Sequence, residues 1–83
     1  MVVMRKEKLV DTIIDVGVEL KIIKKPVNIK LIKNNVKIII GDVAFIERLY
    51  NIIFIRAKKC NILHTKRIKH LLMELERIRI DLE

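Results

Sequence analysis

The stretch Val18-Glu19-Leu20-Lys21-Ile22-Ile23-Lys24-Lys25-Pro26-Val27-Asn28-Ile29-Lys30-Leu31-Ile32-Lys33-Asn34-Asn35-Val36-Lys37-Ile38-Ile39-Ile40-Gly41-Asp42 decides the fold, because it carries two periods at once. Val18 to Ile22 alternates apolar and polar residues, Lys25-Pro26 punctuates, and Val27 to Leu31 alternates again. Period two marks a half-buried strand. Asn34-Asn35 supplies residues that tolerate the left-handed backbone of a short hairpin loop. Val36-Lys37-Ile38 then alternates once more, and Gly41-Asp42 ends the run, with Asp42 well placed as a helix N-cap. The expectation is a small antiparallel meander with strands near 18–24, 27–33 and 36–40.

The second period is helical. Ile32, Val36, Ile39, Val43, Ile46, Tyr50, Ile53, Ala57 and Cys60 recur at steps of four and three, which reads 28–60 as one long helix. That reading places Asn34-Asn35 and Gly41-Asp42 inside a helix, at a cost of roughly 0.5–1 kcal/mol per residue. Strands are therefore preferred.

Outward from this stretch the patterns are simpler. Residues 5–16 read as a short helix, with Leu9, Ile13 and Val16 on one face and Glu7, Asp11 and Asp15 opposite; Gly17 is expected to stop it. Residues 43–60 read as a helix whose stripe of Val43, Ile46, Tyr50, Ile53 and Ala57 is widened by Phe45, Leu49 and Ile52, so it is expected to be central and buried. Thr65 is positioned to cap a last helix over 66–82, with Ile68, Leu71, Leu72, Leu75, Ile78 and Leu82 facing the core. The predicted class is α+β in a single domain, 1–83: a short N-terminal helix, the meander, and a C-terminal helical hairpin. The alternative is all-α.

The chain has 83 residues, 52% of them hydrophobic, with 34% charged and a net charge of +8. That aliphatic content excludes disorder. The apolar runs Val43–Ile46 and Ile52–Ile55 fall far short of the ~20 residues a bilayer span needs, so no membrane association is expected. Met1 to Lys8 lacks the apolar core of a signal peptide. Cys60 is the one cysteine, so no internal disulfide forms, and a reducing cytoplasm is the expected compartment. A chain this short buries only about 60–65% of its unfolded surface. With so many aliphatic residues it is expected to associate, most simply as a two-fold homodimer or a higher homo-oligomer. The Ile-, Lys- and Glu-rich, Gln-free composition fits a thermophile. An AT-rich genome accounts equally well for the isoleucine and lysine.

Charge is the most informative feature. Twelve of the 18 basic residues fall in two acid-free segments. The first, from Lys21 to Lys37, holds Lys21, Lys24, Lys25, Lys30, Lys33 and Lys37. The second holds Arg56, Lys58, Lys59, Lys66, Arg67 and Lys69, with His64 and His70 in it or beside it. The acids collect at 7–19 and 74–83. Cations at 56–59 suit the C-terminus of a helix. Lys66, Arg67 and Lys69 do not suit the start of the next one, where the dipole favours acids. Cations beside free N–H groups there fit an anion, phosphate above all. Solvation alone is the bland explanation.

The expected main contacts with nucleic acid are Arg56, Lys58, Lys59, Lys66, Arg67 and Lys69, with a second patch of Lys30, Lys33 and Lys37. Phe45, Tyr50 and Phe54 are the only aromatic residues and all lie on the helix expected to be buried, so base stacking on single strands is not expected. Lysine outnumbers arginine in these segments, which favours backbone contact with a duplex, DNA before RNA, over base readout.

Enzymatic chemistry is not expected. The chain has no serine. Gly17 and Gly41 are isolated, so no phosphate-cradling loop or other cofactor motif exists. Cys60, His64 and His70 have the spacing C-x3-H-x5-H, one ligand short of a structural zinc site, and read more simply as a buried thiol with two surface histidines. Asp11/Asp15 and Glu74/Glu76 read as solvated acid faces. The rival to nucleic-acid binding is a homo-oligomeric protein-interaction module, in which an exposed Ile/Leu/Val face docks another chain and the lysines only solubilise it.

The segment Phe54-Ile55-Arg56-Ala57-Lys58-Lys59-Cys60-Asn61-Ile62-Leu63-His64-Thr65-Lys66-Arg67-Ile68 resembles the end of the long helix, second loop and third helix of histone folds, and Ile13 to Glu19 resembles the end of their first helix. The resemblance covers about 22 residues. It implies short–long–short helices, a dimer, and phosphate contact at the second loop. Cys60 and Arg67 stand where that family pairs an Arg with an Asp, and the stretch between the two matches is about seven residues too long.

Overall fold

The computed structural model describes residues 6–24 and 28–83, which form four helices: α1 (Lys6–Glu19), α2 (Ile29–Ile39), α3 (Val43–Lys59) and α4 (Lys66–Leu82). No strand occurs among the described residues, so the class is all-α and the expected meander is absent. Arg5, the expected first residue of α1, and Lys25-Pro26-Val27, the expected turn and start of a strand, lie outside the described residues.

The reason lies in what each period buries. On the strand reading Ile29 and Leu31 share a face, yet both are exposed, at 46% and 58%. Val36 of the helical set is buried and Ile32 packs against the core; Ile40 is buried in place of the expected Ile39, and Ile38, which a strand over 36–40 would set beside Val36 and Ile40, is 64% exposed. Asn28 starts the helix, its Oδ1 accepting from the Leu31 amide at 3.2 Å. Asn34 and Asn35 sit exposed within α2 instead of forming a hairpin loop.

The single long helix over 28–60 does not form either. Asp42 stops it, as the N-cap of α3, with Oδ1 accepting from the amides of Ala44 at 2.9 Å and Phe45 at 3.3 Å. Thr65 occupies the N-cap position of α4, but its hydroxyl donates to the Ile62 carbonyl and caps nothing.

Gly17 does not stop α1, which runs on to Glu19. A Cβ at Gly17 would lie 2.7 Å from Ile23 Cδ1, so glycine makes room for the chain as it turns back. That turn has the same hydrogen bonds as the one after α3. The Lys21 amide donates to Val18 O and that of Ile22 to Gly17 O; Asn61 donates to Lys58 O and Ile62 to Ala57 O. Lys21 and Asn61 are both left-handed, with φ of 60° and 59°.

α3 packs most extensively on α4, and α1 on α2; α1 also rests on α4, while α2 touches α3 more lightly. Leu9, Val10, Ile13, Ile46, Ile53, Leu71 and Leu75 anchor the shared core. α3 is not central as expected: Phe45, Ile52 and Ile55 are 43–52% exposed, so it lies at the surface. Leu82, expected in the core, is 41% exposed. Among the described residues no helix is long and apolar enough to cross a membrane.

Candidate nucleic-acid interface

The nine expected contact residues divide into groups with different surroundings. All are exposed except Lys33, which is half-buried. On α2, helical rather than strand geometry gathers Lys30, Lys33 and Lys37 on one face, at steps of three and four. Lys33 of this set is engaged, its Nζ lying 3.3 Å from Asp11 Oδ1.

On α3, Arg56 and Lys59 are three residues apart and share one side, while Lys58 points to another. Lys58 lines a cleft of about 360 Å³ with Asn61, Leu63, His64 and Lys69. The tight turn after Lys59 creates this cleft by folding the start of α4 back against the end of α3. The structure thus brings Lys58 and Lys69 to one place from opposite sides of the turn. Lys66 faces another cleft, of about 650 Å³, between α1 and α4, together with Lys8, Asp15 and His70.

Arg67 has a different role. Both oxygens of Glu19 accept from its Nη2, so it ties the start of α4 to the end of α1. α1 carries Glu7, Asp11, Asp15 and Glu19 at four-residue steps, all exposed. This acid row therefore lies between a lysine of α2 and an arginine of α4. Lys58, Lys59, Lys66 and Lys69 form no ion pair among the described residues.

Sequence reasoning missed two features. Phe45 and Phe54 are 43% and 37% exposed, not buried; the Arg48 guanidinium stands 6.0 Å from the Phe45 ring centre. An apolar groove of about 800 Å³ also runs along α4, lined by Tyr50, Phe54, Leu63, Leu72, Met73 and Ile80. The 3- and 4-residue recurrence of Met73 and Ile80 with polar neighbours was the signal available for it.

Cys60, read as buried, is exposed at the C-cap of α3. Among the described residues no group of three or more His, Cys, Asp or Glu side chains is arranged to hold a metal ion. Near the end of α4, Arg79 bridges Glu76 and Glu83; its hydrogen bond to Glu76 holds that carboxyl below the usual range and raises its own pKa. No family model, curated protein or solved structure matches the chain.

Proposed function

We propose that the chain binds the phosphate backbone of duplex nucleic acid, DNA in the first instance, at the turn between α3 and α4. One observation carries the reading. Around that turn, exposed lysines with no acidic partner among the described residues converge from two helices, while Arg67 and Lys33 are engaged by α1. Lys58 and Lys59 lead the contact, Lys69 closes the cleft beside them, and Lys30 and Lys37 on α2 form a secondary patch. Lysines without paired arginines neutralise phosphates as point charges and read no bases, so little sequence preference is expected.

Fluorescence anisotropy with labelled duplex DNA and duplex RNA, titrated against salt, tests the reading. Binding should weaken with salt along a log–log slope near −4 to −6, as expected for about five or six neutralised phosphates. Lys58→Glu with Lys59→Glu should abolish it at unchanged helix content. Salt-independent binding, or full binding by that variant, removes the proposal.

The second reading is a homo-oligomeric interaction module without nucleic acid. It is favoured by the large apolar side chains left in water, Met73 at 70% and Ile38 at 64% foremost.

A further inference from the structure

The outer face of α4, continued by its C-cap Glu83, presents Lys66, Lys69, Met73, the half-buried Glu76, Ile80 and Glu83 at steps of three, four, three, four and three. This is the spacing of a helix–helix seam. Along it the chemistry changes in order: two cations at the start, apolar residues interleaved with an acid in the middle, and an acid at the end. Met73 and Ile80 are 70% and 57% exposed, beside the apolar groove of Tyr50, Phe54 and Leu63. The first turn holds cations and no acid, and Asp81 and Glu83 stand at the far end. At the far end Arg79 suits the helix dipole and bridges Glu76 and Glu83, whose side chains stay 44% and 54% exposed and open to a further cation, whereas the first turn opposes the polarity that dipole prefers. Nothing within the fold explains that polarity for Lys66 and Lys69, which have no ion-pair partner among the described residues.

We infer that this face is a seam to a second copy of the chain, with the two α4 helices antiparallel about a two-fold axis near Glu74 and Leu75. The order of charges selects the occupant and its direction. Antiparallel, Lys66 stands opposite Glu83 of the partner subunit, and Lys69 lies between Glu76 of the partner subunit and Glu83 of the partner subunit. Every such contact occurs twice by symmetry. Parallel helices would set lysine on lysine and glutamate on glutamate. Met73 enters the apolar groove of the other copy, and the Lys69 stem covers Ile80 of the partner subunit while its ammonium stays at the rim. The antiparallel helices also oppose their dipoles. The seam shares Lys69 with the phosphate reading but leaves Lys58 and Lys59, the leading contacts on α3, uncommitted, and it sets two copies of that turn at opposite ends of a helix about 25 Å long.

Sedimentation equilibrium of the chain without nucleic acid, over two decades of concentration, tests the seam. The native chain should be a dimer. Lys66→Glu with Lys69→Glu, and separately Glu76→Lys with Glu83→Lys, should each weaken self-association by roughly tenfold or more. Mixing the two variants should restore it, because each charge again meets its opposite. A native monomer, unweakened variants, or a mixture no tighter than its components overturns the inference. Should a charge variant lose helix by circular dichroism, Met73→Glu decides instead: a monomer at native helix content supports the seam, and a dimer removes it. Anisotropy with duplex DNA is scored separately, so failure of the seam and failure of phosphate binding are distinguishable.

Discussion

Lys21 holds a backbone conformation that L side chains disfavour by roughly 1–2 kcal/mol, because its Cβ crowds the neighbouring carbonyl. Its amide and that of Ile22 close the end of α1, so the position is required even though the residue is not suited to it. Lys21→Gly should raise stability by about 1 kcal/mol, read as a higher urea midpoint at unchanged slope. Asn61→Gly should gain less, since asparagine tolerates this region. Gly17 illustrates the limit of reading single residues. Its expected role, to stop a helix, follows from local propensity. Its actual role follows from Ile23, which comes to occupy the space a Cβ would fill only after the chain has turned.

At the scale of elements, α3 and α4 were legible almost to the residue, because their apolar stripes keep one period over 17 residues each. α2 was not. In so isoleucine-rich a segment, alternation and four-three spacing coexist, and only the core selects between them: it takes Val36 with Ile32 against it and leaves Ile29, Leu31 and Ile38 in water. The break between α2 and α3 was visible in Asp42, which caps as its position suggested. Asp42→Ala should cost about 1 kcal/mol, measured by chemical denaturation, by leaving the amides of Ala44 and Phe45 without their acceptor. Asp42→Asn should cost much less, since the side-chain oxygen is retained.

At the scale of the molecule, the two basic segments were legible as counts, but their division into engaged and unengaged residues was not. Glu19 and Arg67 are 48 positions apart, and only the packing of α1 on α4 makes them partners. Arg67→Glu should therefore lower stability by no more than about 1 kcal/mol, as for an exposed pair, and Glu19→Lys in the same chain should restore it. Neither change should alter duplex binding much at Lys58 and Lys59; a loss of binding from Arg67→Glu as large as that from the lysine pair would make Arg67 a phosphate contact after all. The acid row on α1 has a consequence beyond these two pairings. It gives a chain of net charge +8 one helix whose own side chains are net acidic, so the molecule carries its charge with a direction. On the proposed reading, a duplex would be turned toward the α3–α4 end before any contact is made, as a compass needle is turned before it is touched.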